Sequence, residues 1–102
     1  MVFLYVTCKN VDEAKKIGKA LVEGKAAGWV NISPIHGMYR QDGEVKELAD
    51  GAAILIKTIE QKVQHVEDIV RATHTSKIPC IASFTLYRLN REYKDWLINT
   101  VA

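Results

Sequence analysis

Val30-Asn31-Ile32-Ser33-Pro34-Ile35, then Tyr39, the pair Asp42-Gly43, and the return run Ala53-Ile54-Leu55-Ile56-Lys57-Thr58 decide the fold of this chain. Asp-Gly between two apolar, β-branched runs is a strong two-residue hairpin signal. Each arm, from Gly28 to Asp42 and from Gly43 to Thr58, is about 15 residues and reaches roughly 50 Å at the rise of an extended strand. Pro34 cannot donate to a ladder, so its strand is expected at a sheet edge or at a bulge. Gly51 is a point where the return arm is expected to break.

Working outward, Val2 to Thr7 is apolar almost throughout, as a covered central strand would be. Asn10 with Glu13 three residues on reads as a capping box, and Ala14, Ile17 and Leu21 make one helical stripe that exits at Gly24 and Gly28. After the hairpin, Thr58-Ile59-Glu60-Gln61 reads as a second capping box before the stripe Val63, Val66, Ile69 and Val70. Pro79 opens a last strand, Cys80 to Leu86. Asn90 caps a short C-terminal helix carrying Tyr93, Trp96, Leu97 and Val101.

The order is βαββαβ plus a terminal helix. With right-handed crossovers this predicts an α+β, ferredoxin-like sandwich: two helices on one face of an antiparallel sheet, a long hairpin between the second and third strands, and a C-terminal helix. A helix of about 13 residues covers only about 20 Å, so half of the hairpin overhangs. An overhanging arm with open backbone edges, Met38 and Tyr39 is expected to find another chain.

Composition bounds the function. At 102 residues the chain is a single domain, residues 1–102, with 48% hydrophobic and 25% charged residues, so it is globular. Its net charge is +2 and its 14 basic residues are mixed with acids, so no nucleic-acid or membrane surface is expected. No stretch is long and apolar enough to span a bilayer, the first residues lack the basic start and apolar length of a signal peptide, and 2 cysteines make no disulfide framework. A cytoplasmic protein with reduced thiols is expected. No Ser-His-Asp set, paired carboxylates or Gly-rich phosphate loop is visible, so no enzyme is expected. The same element order occurs in RNA-binding RRM domains, which need stacking aromatics on the third strand; Ala52 to Ile56 has none.

The motif order resembles the CutA family of small trimeric proteins, linked in name to divalent-cation tolerance. The resemblance runs through Gly28-Trp29-Val30-Asn31, the hairpin tip Tyr39-Arg40-Gln41-Asp42-Gly43, Ile54-Leu55-Ile56-Lys57-Thr58, the stretch from His74 to Ile81, and Asn90, Tyr93, Trp96 and Leu97. It implies a homotrimer whose hairpins pair between subunits, and an association with copper or another divalent cation. Copper binding in the family has been attributed to strand cysteines and to histidines before a Pro-Tyr pair. The second-strand cysteine falls here on Trp29, and of a His-His pair only the second survives, as His74. These soft-metal ligands are largely replaced.

A different metal cluster is conceivable. In the sheet order 4-1-3-2 the end of strand one, Cys8, lies near the start of strand four, Cys80, and His74 sits on the approach. Two thiolates and an imidazole suit Cu(I) or Zn(II). The other reading makes Cys80 a small buried hydrophobe, Cys8 a loop residue and His74 a cation at a helix C-terminus. His36 is expected in a loop, and His65 on a polar helix face. Tyr39, Tyr87 and Trp96 are candidates for an intersubunit cleft. An alternative function is a small-molecule sensor resembling the PII signalling proteins, holding a nucleotide or anion between subunits with Lys57, Arg88 or Arg40. The tight turn and the uncharged tail Asn99 to Ala102 favour the CutA resemblance over it.

Overall fold

The computed structural model describes all 102 residues. Strand β1 (Val2–Cys8) leads to helix α1 (Val11–Glu23), the hairpin β2 (Trp29–Gln41) and β3 (Glu44–Thr58), a 3-10 turn (Glu60–Lys62), helix α2 (Val63–Thr73), strand β4 (Ile81–Thr85) and helix α3 (Arg91–Thr100). The sheet order is β2-β3-β1-β4, antiparallel throughout. This is the expected ferredoxin-like α+β sandwich.

The alternation in β1 places Val2, Leu4, Val6 and Cys8 on the helix side, where they meet Ile54 and Ile56 of β3. Ala14, Ile17 and Leu21 of α1 and Val66 and Val70 of α2 close over them, all fully buried. The two stripes therefore face the sheet as their spacing requires. Each large aliphatic side chain in this layer contributes about 1.5–3 kcal/mol by leaving water.

Asp42 and Gly43 take φ of 53° and 78°. Positive φ at both positions is a turn whose twist matches that of the strands. β2 is an outer strand, with an irregularity between Ile35 and Gly37 just past Pro34, so both devices that tolerate a proline are present. β3 runs through Gly51 as one strand, but its register with β2 shifts just beyond it, between Gly51 and Leu48. An added Cβ at Gly51 would sit 2.5 Å from Leu48 Cδ2, so the missing side chain makes room for Leu48. β1 pairs with β3 only from Ala52 to Thr58. Beyond that point Glu44 to Gly51 bond to β2 alone, and the molecule extends 46 Å along its long axis.

Other sequence expectations change. Thr58 does not cap a helix: its hydroxyl is buried and donates to the Ala26 carbonyl at 2.6 Å, and α2 starts only after the 3-10 turn. The end of β3 lies inside the core, where a hydroxyl must find its partner locally. Thr58→Val is expected to cost about 1–2 kcal/mol, because it leaves a buried carbonyl unpaired; urea unfolding checks this. Cys8 is not a loop residue: β1 runs one residue further and buries it. β4 is shorter than Cys80 to Leu86, so Cys80 precedes the ladder and is exposed. Asn90 stands at the start of α3, but its amide donates to Glu92 Oε2 at 3.0 Å and makes no cap bond.

Trp96 is expected to be anchored against the sheet or a neighbouring subunit; in the single chain it is 40% exposed, set edge-on to Trp29 at 6.2 Å and beside Tyr93 at 5.3 Å. The buried residue of the helix is Leu97, and Val101 just past its end is buried too.

Candidate functional site

Where β1 ends, α1 begins and the chain leaves α2, three potential ligand side chains meet. Cys8, Glu13 and His74 each place a donor atom within 4.8 Å of the other two. Two of the three sequence candidates, Cys8 and His74, are thus brought together. Cys80 is not part of the group; it lies exposed on the wall of a neighbouring cleft.

The third member, Glu13, is at the third position of the capping box. Its N–H donates to Asn10 Oδ1 at 2.8 Å, as that motif requires. Its carboxylate then does more than the motif asks. Oε1 accepts from Lys9 N at 2.9 Å; Oε2 accepts from Thr75 N at 2.9 Å and from the Thr75 hydroxyl. Burial by itself raises the Glu13 pKa, but the Thr75 hydroxyl, the Lys9 and Thr75 amides and the nearby His74 outweigh it and hold the carboxyl below its usual range.

His74 ends α2. Ser76 N donates to its Nδ1 at 3.0 Å, while Nε2 lies 2.8 Å from the Thr7 carbonyl and 3.8 Å from Glu13 Oε1. Nδ1 thus accepts from Ser76, and Nε2 is held against Thr7. Cys8 is pushed up to about 11 by burial and, next, by the charge of Glu13. The thiol is therefore protonated at neutral pH. Sulfur, oxygen and nitrogen donors stand together, with Nε2 of His74 against Thr7 and each Glu13 carboxylate oxygen accepting at least one hydrogen bond. As it stands the set is a hydrogen-bonded polar clamp; a soft metal ion would have to displace the Cys8 proton and the bond of His74 to Thr7 to be held here.

The other candidates scatter. His36 lies on β2, 3.2 Å from Glu47, not in a loop, and His65 is exposed on α2 as expected. Lys57 Nζ stands 5.4–5.7 Å from the ring centres of Phe3, Trp29 and Tyr93, held over aromatic faces. Arg40 is at the far end of the hairpin, opposite Val45 and 3.5 Å from the Gly43 carbonyl. Arg88 and Tyr87 line a cleft beside α3, whereas Tyr39 lines another, beside the hairpin arm. Glu13 is the member of this cluster that the sequence hides: its capping-box spacing is visible, its bonds to a residue 62 positions away are not.

The family model of the CutA1 divalent ion tolerance protein matches residues 2–100. The chain belongs to the CutA1 family. Divalent-cation tolerance protein CutA of Archaeoglobus fulgidus is 37% identical over 99 residues, covering 97% of this chain and 96% of the relative. The CutA of Thermus thermophilus is 37% identical over 93 residues, covering 90% and 89%. The solved structure described as the periplasmic divalent cation tolerance protein CutA from Archaeoglobus fulgidus superposes with a TM-score of 0.95 at 36% identity, over 100% of both chains. The CutA1 structure from Ehrlichia chaffeensis gives 0.94 at 27% identity, covering 99% of this chain and 94% of that one. The CutA1 fold thus accounts for the whole length of the chain, hairpin and terminal helix included.

Proposed function

We propose that this chain is a non-catalytic homotrimer of the divalent-cation tolerance family whose link to copper or another divalent cation does not run through a preformed thiolate site. The open arm of the hairpin carries the trimer. Its β3 edge from Glu44 to Gly51 lacks a second neighbour, and Met38 of β2 and Val45 of β3 are 68% and 67% exposed. Beside it opens an apolar cleft of about 560 Å³ with Ile35, Met38, Leu48, Ile78 and Pro79 on its walls. A strand edge and apolar groove of this kind are covered by another chain in stable proteins. Sedimentation equilibrium at micromolar concentration is expected to give three chains, and Met38→Glu with Ile78→Glu a smaller species. A monomeric wild type would sink the reading.

The indirect cation link rests on the hydrogen bonds of His74 and Glu13. Cu(I) is expected to bind the wild type and a Cys8→Ser, Cys80→Ser variant equally and weakly. A large loss in the variant would place a copper site at Cys8, Cys80 and His74. Both cysteines are free thiols, which suits the cytoplasm; the Archaeoglobus fulgidus relative is described as periplasmic, and cell fractionation decides between the compartments.

A further inference from the structure

Between the end of β4 and the first turn of α3 the chain leaves a cleft of about 430 Å³. Arg88, Arg91 and Lys94 line it over Leu86, Leu89 and Met1, and no acidic residue does. The four ion pairs of the chain, Lys19–Glu23, His36–Glu47, Arg71–Glu67 and His74–Glu13, are all elsewhere. None of the three cations has a carboxylate partner. Glu92, the acid of this first turn, bonds to the Asn90 amide and is not on the cleft wall; Glu60 lines the adjoining depression, which shares Lys94.

The arrangement is unfavourable for the chain alone. Arg91 and Lys94 are three apart on one helix, so they are neighbours of like charge. They also lie in the opening turns of α3, where the helix dipole is positive and favours anions. Asn90 accepts no N–H of that turn, and the one acid there, Glu92, turns its carboxylate to its own N–H and to the Asn90 amide. An anion seated in the cleft relieves both conditions together. Guanidinium pairs match the oxygens of a phosphate, and the positive end of a helix dipole favours the same group. The cleft falls in the size range of small-molecule sites. Tyr87, wholly exposed on its rim, offers a flat face to a ring carried by the same ligand.

We propose that this cleft binds a phosphorylated small molecule, its phosphate held by Arg88, Arg91 and Lys94 at the N-terminal end of α3. The proposal is independent of the cation reading.

Titration calorimetry with sodium diphosphate and with ADP on the full chain tests it. Both probes are expected to bind the wild type, more weakly as salt is raised. Arg88→Gln with Arg91→Gln is expected to weaken binding by roughly tenfold or more, the loss of charged hydrogen bonds. All three cationic residues are exposed, so the variant keeps its fold, and an unchanged melting midpoint verifies this. A charge-matched variant, Lys15→Gln with Lys19→Gln on the outer side of α1, is expected to bind like the wild type. Tighter binding of ADP than of diphosphate, abolished by Tyr87→Ala, assigns the ring to Tyr87; equal binding shows a site that reads phosphate alone, and either supports the proposal. No heat from either probe at about 1 mM overturns it. An equal loss in the charge-matched variant overturns it too, as general attraction by a basic protein.

Discussion

Glu13→Ala is expected to lower stability by about 3 kcal/mol, read by urea unfolding at neutral pH. The substitution removes a buried acceptor and strands the Lys9 amide, the Thr75 amide and the Thr75 hydroxyl, which all donate to it. These three donors are only partly buried, so water recovers much of each loss and each costs about 1 kcal/mol, the low end of the range for an unpaired donor. Glu13→Gln removes the charge but keeps one acceptor, and is expected to cost less, about 1–2 kcal/mol. The two variants also separate charge from shape through pH. The folded carboxyl titrates below its usual value of 4.5. Its contribution is therefore complete above the unfolded pKa and is lost as pH falls through the lower, folded pKa. The gap between the wild type and Glu13→Gln is expected to narrow on acidification through that window. A gap that stayed constant with pH would show that the carboxylate charge plays no part.

Leu97→Ala is expected to cost about 3–4 kcal/mol, within the range for emptying a fully buried leucine site. Its methyl group packs directly on the backbone at Gly28, where a Cβ would come within 2.6 Å of Leu97 Cδ1. α3 makes few other contacts with the core, so the cavity has little around it to collapse inward. Trp96→Ala is expected to cost less, since the indole is 40% exposed in the chain. Melting curves of the two variants side by side check the order. A larger loss for Trp96→Ala would mean that the indole is buried by a neighbouring subunit, and the oligomer would then have to be weighed with it.

The division between these two residues shows how far the sequence could be read. The helical stripes, the Asp42-Gly43 turn and the edge position of Pro34 are local signals, each set by neighbours within a few residues. They gave the element order and hence the sandwich. Trp96 and Leu97 are adjacent, so periodicity could not tell which of them faces Gly28. Size favoured the tryptophan, whereas the close approach allowed by a bare backbone selects the leucine. The candidate site failed in the same way. Strand order correctly brought Cys8 toward the approach to β4, but whether Cys80 joined it depended on where the short β4 ladder began. Glu13 announced its cap at Asn10 and kept silent about Thr75, because long-range hydrogen bonding leaves no periodic trace.

The central strand β1 takes its two neighbours from residues 52–58 and 81–85. During synthesis from the N-terminus, the β2–β3 hairpin can close locally on a microsecond scale, but β1 waits for both partners to leave the ribosome. Leu86 N, which bonds to the Met1 carbonyl, must emerge before the sheet is complete. Most of the chain is therefore made before its first strand is flanked on both sides, and folding is governed by contacts of long sequence separation, which are slow to form. A stalled chain ending near residue 75 is expected to expose the β4 side of β1 to protease while its hairpin is already closed.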